Sequence, residues 1–292
     1  MAYQIFTDSS SDLSTELRKK HNISYFRMGF TINGKEEYHA DIDYEEYSPE
    51  QLYKWIGNTK NVLKTSLVTM GEFFEKMEPF LEKGIDILYL ACSGSLSGTI
   101  NVFRLASEEL QDKYPERKFI AIDTCRADMS LGLLVLDACK LRDEGKSIEE
   151  VAKWAEDNKQ FYHEVGSLDT LTFLKNAGRV SGSAAFFGNM IGIKPLIMFN
   201  RKGENYAYKK VRGMKVALEE SFNYIKDNMV PGVTDVVYVG QAMAPVYQEY
   251  MKNRIENELK IKVEPFWIGP IVGISCGPGM YGCFFKGKEV KI

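Results

Sequence analysis

The sequence predicts an α/β protein of two domains. The N-terminal domain, residues 1–160, has a mostly parallel sheet with flanking helices; the C-terminal α/β domain, residues 161–292, has a mixed sheet. Three observations predict this. In the first half, apolar runs of strand length alternate with amphipathic runs of helical period, the β-α-β-α order of parallel sheets covered on both faces. After residue 160 that rhythm breaks into strand-like runs separated by glycine-rich segments. A chain of 292 residues, 45% hydrophobic and 26% charged, is also long enough for two domains and a sizeable core.

The elements follow in order. Residues 3–6 form a strand ending in the polar Thr7-Asp8-Ser9-Ser10-Ser11-Asp12, where a helix with Leu13 and Leu17 on one face begins. Ser48-Pro49-Glu50-Gln51 gives a capping box with proline at the first helical position, and its helix carries Leu52, Trp55 and Ile56. Thr69-Met70-Gly71-Glu72 is a second capping box, and the hydroxyl-rich connector Lys64-Thr65-Ser66-Leu67-Val68 lies between the two helices. Residues 85–90 are a strand, the loop Ala91-Cys92-Ser93-Gly94-Ser95-Leu96-Ser97-Gly98-Thr99 follows, and the next helix is apolar at Ile100, Phe103, Ala106 and Leu110. Residues 118–123 are a strand and 131–141 an apolar helix ended by Gly145; Ser147-Ile148-Glu149-Glu150 caps one more helix. Further strands are expected at 161–166, 207–212, 235–240 and 261–266. No Ser/Pro/Gly linker marks the join, so the domains are expected to pack closely.

Composition removes several classes of function. A net charge of −3, with Lys and Arg spread along the chain, argues against a nucleic-acid surface. The N-terminus has no basic and apolar leader, and no apolar run approaches bilayer length; a cytoplasmic protein without stable membrane insertion is expected. Cys92, Cys125, Cys139, Cys276 and Cys283 contain no C-x-x-C pair, and His21, His39 and His163 have no ligand-pair spacing. Neither a disulfide framework, a metal site nor a cofactor is expected.

The loop holding Ser93, Gly94 and Ser95 is where ligand binding is expected. Beyond the carboxyl end of a strand in an open α/β sheet, a helix N-terminus offers free N–H groups and a positive dipole end to an anion. Small turn and N-cap residues without any ligand have the same composition.

Taken together, Thr7-Asp8-Ser9-Ser10-Ser11-Asp12-Leu13, Lys64-Thr65-Ser66, Leu96-Ser97-Gly98-Thr99, Gly178-Arg179-Val180-Ser181-Gly182, Lys194-Pro195 and Ile268-Gly269-Pro270 to Gly277-Pro278-Gly279 resemble the DegV family of bacterial fatty-acid-binding proteins. The motifs occur in the family's order over nearly the whole chain. The resemblance implies two α/β domains holding one long-chain fatty acid in a tunnel, and no catalytic activity of the protein's own. A separate fatty acid kinase, dihydroxyacetone-kinase-like, would receive the carboxyl group and make the acyl phosphate for phospholipid synthesis. It further implies head-group binding by Thr65, Ser66, Ser93, Gly94, Ser95, Ser275 and Cys276, with Arg179 contacting the kinase step. Phe186, Phe187, Met190 and Ile191, in the apolar run 184–198, are the expected acyl-chain lining; ordinary core has the same composition.

The departures from the family pattern concern the head group. Gly94 stands where a second serine is common, Ser275 where histidine is common, Cys276 where threonine is common, and Leu67-Val68 where Gln-Pro is common. A serine donates one hydrogen bond but carries no charge, which leaves open a different head group or acyl ligand. Two other functions remain: a lipid-responsive sensor, and a hydrolase or transferase using Ser93, Ser95 or Cys276. No Gly-x-Ser-x-Gly elbow supports the latter.

Overall fold

The computed structural model describes residues 2–181 and 192–292. The first half runs β1 (Tyr3–Asp8), α1 (Thr15–Lys20), β2 (Ile23–Phe26), β3 (Gly29–Ile32), β4 (Glu36–His39), α2 (Pro49–Gly57), β5 (Leu63–Ser66), α3 (Met70–Leu81), β6 (Asp86–Ala91), α4 (Thr99–Lys113), β7 (Phe119–Asp123), α5 (Asp128–Asp143) and α6 (Ile148–Asn158). The second runs β8 (Tyr162–Ser167), α7 (Thr172–Ala177), β9 (Val180–Ser181), β10 (Ile193–Phe199), β11 (Asn205–Arg212), α8 (Met214–Asn228), β12 (Val236–Ala242), α9 (Pro245–Arg254), β13 (Lys262–Trp267), α10 (Pro270–Cys276) and β14 (Met280–Lys286).

Strands β2-β1-β6-β7, in that order, form a wholly parallel sheet. Both β1 and β6 are buried along their full length, as a sheet covered on both faces requires. On one face Phe6 stacks on Phe26 at 4.5 Å, and Phe73, Tyr89 and Phe103 close the cluster around Phe26. On the other lies α5, apolar almost all round and correspondingly buried.

Helix starts follow the sequence signals. Ser48 and Thr69 accept from the amides of Gln51 and Glu72, and at Ser147 both halves of a capping box form with Glu150. At Thr69 the return bond is not made, because Glu72 instead accepts from the backbone N–H and guanidinium of Arg27. The expected connector at 64–68 is in part a strand. β5 pairs antiparallel with β3, which pairs with β4, in a separate three-stranded sheet. With four residues and one apolar side chain, β5 carries too short a pattern to separate it from a loop.

The second half builds a seven-stranded mixed sheet in the order β13-β12-β14-β8-β10-β11-β9. Side chains alternate across its central strands. Tyr162 and Phe284 pack toward the parallel sheet and α5, while Val165, Tyr281, Cys283 and Phe285 pack with Phe222, Ile225 and Met251 of α8 and α9. By the same period, Glu164 shares the inward face with Tyr162.

The two halves also meet at a corner beside α10. The glycine-rich stretch after β13 is not a plain loop but carries α10, and the amide of Gly269 just before it donates to Asp12 Oδ2 at 3.0 Å. The Tyr53 hydroxyl donates to the Ile268 carbonyl at 2.8 Å. A Cβ on Gly269 would stand 2.2 Å from Asp12 Oδ1 and one on Gly273 2.5 Å from the Tyr53 hydroxyl. Both positions must therefore lack a side chain for α10 to seat.

Asp12 is buried, its Oδ1 has no hydrogen-bond partner, and burial pushes its carboxyl up to about 7 against the lowering effect of the Gly269 amide. The folded state therefore holds a proton that the unfolded chain releases near 3.8. That penalty is absent below the unfolded value, grows as pH rises, and is complete above the folded value. We expect urea midpoints to fall between about pH 4 and 7, and Asp12→Asn to make that fall shallower; an unchanged slope would refute the assignment.

Candidate functional site

A cavity of about 390 Å³ lies where the parallel sheet, the seven-stranded sheet and α10 converge. That is within the roughly 300–1,000 Å³ of small-molecule sites. Its walls are mainly apolar and come from both halves of the chain: Met28 and Ala127 from the first, Leu168, Leu174, Ile197, Phe199 and Met280 from the second. All seven belong to one continuous buried cluster.

One set of polar groups gathers on the exposed side of this space. Thr65 and Ser66 at the end of β5, Ser97 and Gly98 at the start of α4, Ser275 on α10 and Arg179 after α7 all line it. Ser66 and Arg179 are exposed, and Thr65 and Ser275 half-buried. Thr65, Ser275 and Arg179 also line an adjoining cleft of about 370 Å³ with Lys64 and Asn176, so this is the mouth. The α4 N-terminus directs the positive end of a helix dipole there. Arg179 Nε donates to the Leu96 carbonyl at 3.2 Å and Nη1 to the Ala177 carbonyl at 2.6 Å. The first bond ties the guanidinium to the serine loop and the second to the end of α7.

The expected head-group residues divide. Thr65, Ser66, Ser275 and Cys276 line the cavity, as does Arg179; Ser93, Gly94 and Ser95 do not. Ser93 Oγ donates to the Gly203 carbonyl at 2.7 Å and Ser95 Oγ to the Lys202 carbonyl at 2.6 Å. The two hydroxyls fasten the loop to the turn between β10 and β11. Gly94 has its own steric reason: a Cβ there would lie 2.6 Å from Asp123 Oδ2, and Asp123 Oδ1 is fixed by the amides of Gly94 and Cys125. Phe186, Phe187, Met190 and Ile191 lie outside the described residues.

Sequence reasoning passed over Ser97 as a lining group, although it sits inside the quoted Leu-Ser-Gly-Thr motif. It also passed over Ser10, Asp128 and Glu164, which line the inner part of the cavity. Ser10 Oγ donates to Asp8 Oδ1, while the Tyr89 hydroxyl and the Cys92 amide donate to Asp8 Oδ2, so Asp8 organises the ends of β1 and β6.

For nucleophilic chemistry the surroundings are unfavourable. Cys92 and Cys276 are buried, and burial pushes both thiols well up, away from thiolate. Ser275 Oγ donates to the Ile271 carbonyl at 3.1 Å, and none of the three histidines lines the cavity.

A family model described as an uncharacterised protein of the DegV family matches residues 2–288. A DegV domain-containing protein of Clostridium perfringens is 33% identical over 98% of this chain and 97% of its own. A DegV family protein of Thermus thermophilus, described as binding fatty acid, superposes with a TM-score of 0.86 at 27% identity, over 98% of this chain and all of that one. DegV of Bacillus subtilis, described as a fatty acid binding protein, shares the fold with a TM-score of 0.84 at 21% identity, over 99% of this chain and all of that one.

The serine loop's attachment gives a test of its own. Gly203 has φ +76, and a Cβ there would stand 2.2 Å from Ser93 Oγ and 2.7 Å from the Cys125 backbone; Gly232 has φ +77 with open space around it. Gly232→Ala is expected to cost about 1 kcal/mol for the left-handed backbone. Gly203→Ala, carrying the same backbone cost plus the collision, is expected to lower the urea midpoint clearly further; equal losses would show that the loop and turn separate freely.

Proposed function

The chain belongs to the DegV family, and from that premise we propose that it binds a long-chain fatty acid in the central cavity and presents the carboxyl group at the mouth to a partner fatty acid kinase. The observation that carries this reading is the layout of the cavity: hydroxyls, a helix N-terminus and one arginine at an open mouth, with apolar walls behind them. A desolvated carboxylate needs donors of this kind. An acyl chain gains roughly 0.8 kcal/mol for each methylene withdrawn from water, so the tail carries the affinity.

In this arrangement Thr65, Ser66 and Ser97 hold the carboxylate, joined by Ser275 when its hydroxyl turns from the Ile271 carbonyl, and Arg179 stands at its outer side, where a forked pair of N–H donors suits a carboxylate or an acyl phosphate. The side chains of Ser93 and Ser95 support the loop instead. Catalysis belongs to the kinase, in keeping with buried protonated thiols and the lack of a histidine in the cavity lining.

Denaturing extraction of freshly purified protein, followed by mass spectrometry, is expected to recover close to one long-chain acid per chain. An empty extract, with no uptake of added acids, would refute the reading. The double variant Thr65→Ala/Ser66→Ala removes two donors to a charged group, each worth about 1.5–3 kcal/mol, so a loss of binding by at least roughly tenfold is expected. Formation of acyl phosphate on adding a fatty acid kinase and ATP distinguishes a carrier from a lipid-responsive sensor.

A further inference from the structure

The buried side of the cavity is not apolar. Glu164, on the inward face of β8, is 3% exposed, and its Oε2 has no hydrogen-bond partner among the described residues. Asp128, the first residue of α5, is 1% exposed and lines the same cavity with its backbone held at φ +47. Its Oδ1 accepts from the amide and hydroxyl of Ser130. The nearest buried cation is committed elsewhere. Arg126 gives its donors to the carbonyls of Tyr162, Cys125 and Asn200 and to Gln160 Oε1.

Folded proteins leave few buried polar atoms unpaired, and each such atom invites an account. A carboxyl group in a ligand cavity with a free oxygen and no ion pair is a hydrogen-bonding position waiting for a partner. Burial raises the carboxyls of both Glu164 and Asp128, the charge of Glu164 further disfavours ionisation of Asp128, and the Arg126 charge offsets part of the rise at Glu164. A neutral carboxyl can donate as well as accept. A second carboxylate would be a poor guest beside this pair, whereas a hydroxyl can donate to one oxygen and accept from the other.

We propose that Glu164 and Asp128 form a second polar subsite, on the buried side of the cavity, that receives a hydroxyl group carried on the acyl chain. The preferred ligand is then a hydroxylated long-chain acid. This rests on the fatty-acid reading, with the carboxylate at Thr65, Ser66 and Ser275 and the tail directed inward. It adds a requirement that those residues do not impose: the chain must place an oxygen at a set distance from its carboxyl carbon.

The test uses delipidated full-length protein and displacement of a fluorescent fatty acid. Stearic acid is compared with hydroxystearic acids that carry the hydroxyl at successive positions along the chain. At least one positional isomer is expected to bind on the order of tenfold tighter than stearic acid, the equivalent of one added hydrogen bond. In Glu164→Leu that preference is expected to reverse, with stearic acid gaining and the favoured isomer losing affinity. Stearic acid binding as tightly as every hydroxylated isomer to the unaltered protein would overturn the proposal, and would mean that water alone occupies this side of the cavity. A preference that survives in folded Glu164→Leu would overturn the assignment of the subsite. Failure of all the acids to bind would instead sink the underlying fatty-acid reading.

Discussion

The bond between Asp12 and the Gly269 amide is the constraint on which the cavity depends. It fixes the corner that precedes α10, and α10 supplies Ile271, Val272, Ser275 and Cys276 to the cavity wall. The acceptor is unusual, because a buried carboxylate beside a single N–H is poorly compensated. The Tyr53 hydroxyl secures the adjoining carbonyl, and two glycines four residues apart let α10 approach closely enough for both contacts. A helix of seven residues has little stability alone. Its position is therefore set by what it touches.

Much of this architecture was legible in the sequence, because the parallel sheet announces itself. Its strands are continuous apolar runs, and three of its helices start at Ser or Thr caps that the structure uses. What escaped includes β2, β3, β4 and β10 and the helices α8 and α9, together with elements that are short or central. β5 is too brief to show a period. α10 is hidden by glycine and proline, which the packing against Asp12 and Tyr53 demands. β14, Met280–Lys286, is apolar and glycine-containing with no flanking helix signal, although it lies in the middle of its sheet.

The site was legible in part for a related reason. Hydroxyl clusters such as Thr65-Ser66 are visible as composition, but whether a hydroxyl faces a ligand or a carbonyl is a matter of tertiary contact. Ser93 and Ser95 donate to carbonyls, whereas Thr65 lines the cavity. Glu164 offered one signal only, an acidic residue within an otherwise buried strand, and that signal needs the strand's facing to be known before it has meaning. Both cases show that local pattern places elements better than it assigns their side chains.

The place of β14 has a consequence for how the protein matures. Strand β14 pairs antiparallel with both β12 and β8, so the larger sheet cannot be completed until residues 280–286 have left the ribosome. The first half, whose sheet needs only residues up to Asp123, can form earlier, as domains generally fold in order of synthesis. Pairings of such long sequence separation are slow to close. Until they do, the apolar surfaces that later enclose the cavity face water, where unpaired strand edges and other chains can reach them.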